Sequence, residues 1–345
     1  MAPVLSDFLL TPPSTIPAVS SVVITSPSTP RTPGLRRKRR PDSGEDAFFV
    51  SRIGHQNNPG AVAFAVADGV GGWAESRVDP ADFSHALCSY MAQSALDWDA
   101  PAEQLRPKQI LQSGYDQVVA DESIRAGGST ASVGRSPWTT AASSWPNLGR
   151  LRVSAPASRP RCYHYSGPAD PWLATRPTSS ALSHPRMRTQ ASIFGGAFLE
   201  DFPRDAAVTN LQLQHGDVLM LATDGVFDNL NNQDILKLVT SRMVLTGAWT
   251  ATLDLGIKPS ANLDQLTAPD DKPASDPNQI STLQALLAAT IAGEAKLASM
   301  DLRRDGPFAK EAQRYYPGDY YRGGKVDDIC VLILIAVEEG YGASS

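Results

Sequence analysis

The chain has 345 residues, 42% of them hydrophobic and 19% charged, enough to bury one large core or two small ones. A formal net charge of -5 gives no reason to expect nucleic-acid binding, and no apolar run reaches the roughly 18 residues that a bilayer span needs. Cys88, Cys162 and Cys330 show no paired ligand spacing, which points to a reducing compartment and no disulfide framework.

Residues 1–41 are rich in Pro, Ser and Thr, hold one acid, Asp7, and end in the basic cluster Arg36, Arg37, Lys38, Arg39 and Arg40. They read as a disordered tail or as a targeting segment, because transit peptides are Ser-rich and acid-poor. A nuclear address from the basic run is the other reading. From Asp42 the pattern changes. Ala47–Arg52 and Ala61–Ala67 are short β-type runs separated by a polar turn over 55–60. Pro80–Leu96 and Pro107–Val119 carry apolar residues at helical spacing. Val218–Ala222 reads as a buried strand, and Gln233–Val244 and Ser281–Met300 as helices. Lys258–Pro277 reads as a loop. Ile329–Val337 closes the domain as a last buried strand, and residues 339–345 are a short tail. Strands at both ends with helices between them suggest an α+β architecture.

Four acidic clusters fall at strand ends. Glu45 and Asp46 open the first run, Asp68–Gly69 follows the second, Asp224–Gly225 follows Val218–Ala222, and Asp327–Asp328 precedes the last strand. Any one of them alone is an ordinary polar turn. Carboxylates placed where buried strands emerge are held rigidly, and several meeting at one edge would repel unless a cation neutralised them. Hard oxygen ligands suit Mg²⁺ or Mn²⁺.

The segments EDAFFV (45–50), VADGVGGW (66–73), GGSTA (127–131), LATDGVFDNL (221–230) and KVDDICVLI (325–333) resemble the type-2C, metal-dependent serine/threonine protein phosphatases (PPM type). RMRTQASIFGG (186–196) and the run from Met300 to Ile329 are similar to the mitochondrial branch of that family. The resemblance covers 42–134 and 186–338. It implies a central sandwich of two antiparallel β-sheets flanked by helices, in α-β-β-α layers, over a phosphatase domain at 42–338. It also implies at least two Mg²⁺ or Mn²⁺ ions. Asp68 would bridge two of them and the Gly69 carbonyl would bind one. Asp46, Asp224 and Asp327 would complete the shells, and Glu45 would act through water. The implied reaction is hydrolysis of phosphoserine and phosphothreonine in proteins by a metal-activated water. The implied partners are phosphoprotein substrates, with no nucleic acid, no stable membrane insertion and a monomeric chain. The implied location is the mitochondrion, with cytoplasm or nucleus as the alternative. Many members of the family carry a His two residues after the bridging Asp. Here that position is Val70, which leaves protonation of the leaving alkoxide unassigned, and no Arg is placed as the phosphate clamp. The competing reading is a catalytically impaired binding protein that keeps the scaffold.

Cys88 and Cys330 read as core residues, and Ser129–Thr130 as a structural turn. His55, His85 and His215 lack ligand spacing. Tyr315, Tyr316, Tyr320 and Tyr321 read as partly core-packed, with a surface patch for a partner as the alternative. The middle is different. Between Glu122 and Asp170 there is no acid, where the chain average of 36 in 345 gives about five. Trp138, Trp145 and Trp172 fall in this neighbourhood, and disordered insertions are seldom rich in Trp. Reading 136–146 one base earlier permits L-D-D-G-S-L-E-L-A. Residues 147–149 follow in frame, and 150–153 read one base later permit D-S-G-F, together resembling the family's next acidic motif. Residues 135–185 are therefore expected to be out of frame, to show little regular structure and to leave the sheets incomplete in the middle.

Overall fold

The computed structural model describes residues 4–7, 22–26, 44–54, 61–136, 142–145, 150–154, 161–165, 182–183, 202–206, 208–252, 256–268, 282–315, 318 and 320–338. The basic cluster Arg36–Arg40, the turn at 55–60, Tyr316, the RMRTQASIFGG segment, most of 135–185 and the tail 339–345 lie outside them.

In chain order the first elements are β1 (Val4–Asp7), β2 (Val22–Ser26), β3 (Asp46–Arg52), β4 (Val62–Asp68), α1 (Pro80–Leu96) and α2 (Pro107–Ala120). Six strands of the middle follow: β5 (Gly128–Ser129), β6 (Ser132–Ser136), β7 (Ala142–Trp145), β8 (Arg150–Ser154), β9 (Arg161–Tyr165) and β10 (Leu182–Ser183). Then come β11 (Thr209–Gln212), β12 (Val218–Ala222), α3 (Asp224–Phe227), α4 (Asn232–Leu245), β13 (Trp249–Thr252) and β14 (Gly256–Pro259). The chain closes with α5 (Leu263–Thr267), α6 (Leu283–Met300), α7 (Pro307–Tyr315) and β15 (Ile329–Ile335). The class is α+β, built on antiparallel sheets that carry helices, as expected. No helix among the described residues is long and apolar enough to cross a membrane.

The contacts divide the chain into two compact units. One spans 31–148 and 166–211. Its three-stranded sheet runs β3-β4-β6. Ala61, Ala63, Ala65 and Ala67 share one face and pack with Phe83, Leu87 and Met91 of α1 and Ile110, Leu111 and Val118 of α2. The small alanines let α1 lie close on the sheet. Val62, Phe64 and Val66, which point to the other face, are buried as well. Asp79 caps α1 by accepting from the Ala81 N–H at 3.2 Å, with Pro80 at the first helical position.

The other unit spans 1–30, 149–165 and 212–345. Its six-stranded sheet runs β1-β2-β15-β12-β8-β9. Every residue of β15 is buried, which is why it reads as an unbroken apolar run instead of an alternating one. Val218, Met220, Val331 and Ile333 face a core shared with Ile235, Val239 and Met243 of α4 and Leu287 and Ile291 of α6. Asn231 accepts from the Gln233 and Asp234 N–H groups at 2.9 and 3.0 Å and so starts α4. Thr282 caps α6 through Ala285 N–H at 3.2 Å.

Three expectations are corrected. Residues 1–41 are not all tail, because β2 pairs with β15 from Ile329↔Ser26 to Ile333↔Val22 and β1 pairs with β2. The β-branched run Val22-Val23-Ile24-Thr25 carries this pairing, and the Pro and Ser around it masked the signal. Lys258–Pro277 is not one loop, since β14 forms a hairpin with β13 and α5 follows. The sheet is also not left open beside β12. There β8 pairs with β12, from Val218↔Val153 to Leu221↔Arg150, and β9 pairs with β8. A ladder is made by backbone N–H and C=O groups, which any extended non-proline stretch supplies, so an anomalous run of side chains does not prevent it.

Candidate functional site

The expected site residues fall into two groups, one in each unit. In the first, β3 begins at Asp46 and β4 ends at Asp68, and the antiparallel register sets the two directly opposite each other. Asp46 is only 1% exposed. The preceding turn is fixed by its backbone. The Glu45 carbonyl accepts from Gly69 N–H at 3.0 Å and from the buried Ser84 hydroxyl at 2.6 Å, and His85 Nε2 lies 3.4 Å from Gly44 O. Gly69 is required by this close approach, since a Cβ there would stand 2.7 Å from Pro80 O and 3.0 Å from Glu45 O.

Ser129 and Thr130 hold the far side of Asp68. Thr130 N–H donates to Asp68 O at 2.8 Å, Asp68 N–H donates to Thr130 Oγ1 at 3.1 Å, and the Ser129 hydroxyl donates to Asp68 O at 2.9 Å. The sequence suggested a turn here; Ser129 instead ends the short strand β5 and bridges to Gly69, which pins the backbone of a candidate ligand. Cys88 is core, as expected. Burial first, and the charge of Asp46 second, hold its thiol far above the usual range.

In the second group, the end of β12 and the start of β15 are tied by Thr223. Its N–H donates to Cys330 O at 3.1 Å and its Oγ1 accepts from Cys330 N–H at 2.9 Å. Asp224 then opens the short helix α3, and Asp327 lies just before β15. A Cβ on Gly225 would fall 2.0 Å from Asp328 O, so the DG pair is what lets this turn press against the start of β15.

The structure adds three residues that the sequence reading missed: Asp228, Lys325 and Asn229. Asp224, Asp228 and Asp327 each offer an oxygen, and these lie within 4.8 Å of one another. Lys325 Nζ sits among them at 3.3, 2.6 and 2.9 Å respectively. Burial, then the charge of Asp224, push the Asp228 carboxyl up to about 7 against the pull of Lys325. Burial opposes the charge on Lys325, but Asp224, Asp228 and Asp327 together hold its pKa above the ordinary lysine range. The signal for Asp228 was present in D-G-V-F-D, since a spacing of four sets both carboxylates on one side of a helical turn. Asn229 was also missed. It is 1% exposed, donates to Gly225 O and Lys325 O at 2.8 Å each and accepts from Lys325 N–H at 2.8 Å.

Beneath Lys325, Phe308 and Tyr321 meet edge to face at 5.0 Å. Tyr321 is thus partly packed, as expected, whereas Tyr315 and Tyr320 are 54% and 87% exposed, correcting that expectation for both. His215 is structural. Its Nδ1 accepts from Glu338 N–H at 3.0 Å and its Nε2 lies 2.9 Å from Ser260 O.

Both groups are hard-oxygen sets of the kind that hold Mg²⁺ or Mn²⁺. Each is braced by backbone contacts too tight for a side chain at its glycine, and among the described residues the oxygens of Asp224, Asp228 and Asp327 lie close enough together to fit one divalent cation.

The chain matches no family model. It is 29% identical over 301 residues to the 5-azacytidine resistance protein azr1 of Schizosaccharomyces pombe, covering 87% of this chain and 84% of that protein. It is 27% identical over 321 residues to the protein phosphatase 2C homolog 7, mitochondrial, of Saccharomyces cerevisiae, covering 87% and 76%. It is 28% identical over 298 residues to the protein phosphatase PTC7 homolog of Xenopus laevis, covering 86% and 82%. Among solved structures it is similar to that of the photosystem II phosphatase PBCP, with a TM-score of 0.56 and 21% identity over 92% of this chain and 98% of that one. This last likeness is one of fold.

Proposed function

We propose, from the premise that the chain is a homologue of the type-2C protein phosphatases, that it hydrolyses phosphoserine and phosphothreonine in proteins. The observation that carries the reading is the register of Asp46 against Asp68, with Asp46 buried at a strand end. Like charges directly opposite each other work against a strand pair, and a bound cation would offset that cost. Bound Mg²⁺ or Mn²⁺ would supply an acidified water for in-line attack at phosphorus and would offset charge on the phosphate oxygens.

The chain's own residues hold and orient. Asp46 and Asp68 would serve as ligands in one unit, with the Gly69 carbonyl and Glu45 beside Asp68. Asp224 and Asp327 serve in the other. Ser129 and Thr130 fix the backbone of Asp68, and Thr223 and Asn229 fix that of the Asp224 turn. Such braced carboxylates lose little freedom when a metal and phosphate arrive. The reading takes the chain as a monomer acting on phosphoproteins. It takes the mitochondrion as its location, from the likeness to the yeast relative named for that compartment.

A second reading, a binding protein that keeps the scaffold, is favoured by the absence of any acid between Glu122 and Asp170. If 135–185 is out of frame, a further acidic ligand is missing from this literal chain. Sequencing the transcript across codons 130–190 tests that frame. Release of phosphate from a phosphothreonine peptide, with and without Mn²⁺, separates the two readings.

A further inference from the structure

Lys325 stands where the second carboxylate group converges. An ammonium has three N–H donors, and here three carboxylates lie within 3.3 Å of Nζ. Their oxygens are spaced as ligands around one cation would be. Mg²⁺ or Mn²⁺ binds such oxygens at about 2.0–2.2 Å, so it would fall within the space the ammonium now fills. A divalent ion and an ammonium roughly 3 Å apart repel strongly away from bulk water. The backbone of Lys325 cannot yield, because both its N–H and its C=O are held by the buried side chain of Asn229. The four-carbon stem can, since it is flexible and the side chain keeps 26% of its exposure.

We propose that Lys325 is a built-in counter-cation for Asp224, Asp228 and Asp327, which an incoming divalent metal must displace. The inference rests on the reading that this group receives a metal. It gives the lysine two tasks. Without metal it holds three like charges in the geometry a cation needs. With metal it leaves, so the measured affinity is that of an exchange and is weaker than the carboxylates alone would give. A mobile ammonium beside the metals is then available to phosphate oxygens, which three carboxylates would otherwise repel.

Two measurements on the full chain test this. The first is acylation of Lys325 by an amine-reactive reagent, followed by peptide mass spectrometry, in EDTA and in saturating Mn²⁺. Labelling is expected to be slow in EDTA and several-fold faster with Mn²⁺. The second is Mn²⁺ uptake by equilibrium dialysis for the native chain and Lys325→Met, which is expected to bind about tenfold more tightly. Mn²⁺ uptake with Lys325 still protected overturns the inference and leaves the metal reading standing. Absence of Mn²⁺ uptake by the native chain overturns both. The labelling arm uses the native chain alone, so it decides the matter even if Lys325→Met does not fold.

Discussion

Asp46 and Asp68 are direct partners in the β3–β4 ladder, two carboxylates facing across one antiparallel pair. Side chains so paired have Cβ atoms about 4.5–5.5 Å apart, and like charges there work against the sheet. The sheet tolerates them because alanines and aromatic residues along the rest of the pair, from Ala47↔Ala67 to Val50↔Phe64, pack well. The register therefore concentrates one unfavourable contact at the strand end, where a cation can offset it.

Asp68→Asn removes the charge and keeps the shape. Turnover of a phosphothreonine peptide is expected to fall at least ~100-fold. The melting temperature in EDTA should stay within a few degrees, because the backbone bonds to Ser129 and Thr130 survive. Near-normal turnover at saturating Mn²⁺ contradicts the assignment.

Gly225→Ala places a methyl 2.0 Å from Asp328 O, a backbone atom that cannot swing aside. The turn must then move away from β15. A loss of about 1–3 kcal/mol is expected, read from urea unfolding, together with weaker Mn²⁺ uptake. An unchanged urea midpoint would show that the approach of the two segments is not needed.

Deleting residues 1–30 strips β2 from β15 and leaves an apolar, fully buried strand with a bare edge. Such edges recruit other chains. The truncated protein is expected to elute as aggregates in size-exclusion chromatography where the full chain does not. A soluble, unaggregated truncation would remove β2 from the account. The same pairing bears on import, since a leader cut beyond Ser26 would cost the sheet a strand.

Asp305 supplies the pH dependence. Gly323 N–H at 2.8 Å, then the Gln313 side chain at 3.1 Å, hold its carboxyl below the usual range. The unfolded chain, with its pKa near 3.9, therefore takes up the proton first as the solution is acidified. Stability from this group is present above about pH 4 and is lost as pH falls below it. Asp305→Asn should flatten that part of the acid limb in urea midpoints measured between about pH 5 and 3. An acid limb identical to the native one contradicts the role.

Much of this was legible from the sequence because the signals were local. Pro80–Leu96 and Val218–Ala222 carry their own periodicity or apolar run and were placed to the residue. The strand-end acids could be found because a carboxylate beside a buried run is conspicuous. Lys325 and Asn229 were not legible, since their meaning comes from a contact 96 residues apart in sequence. The tail strand Val22–Ser26 was hidden by its surroundings, and β8 was passed over because its segment reads as out of frame, although Arg150-Leu151-Arg152-Val153 alternates polar and apolar as a strand does.

The most direct test of the central claim is phosphate release from a phosphothreonine peptide by the full chain, followed as Mn²⁺ is titrated from EDTA. The account predicts no release in EDTA, saturable release with Mn²⁺, and loss of that release in Asp68→Asn. Release that continues unchanged in EDTA, or Mn²⁺ uptake with no release at any concentration, would contradict it.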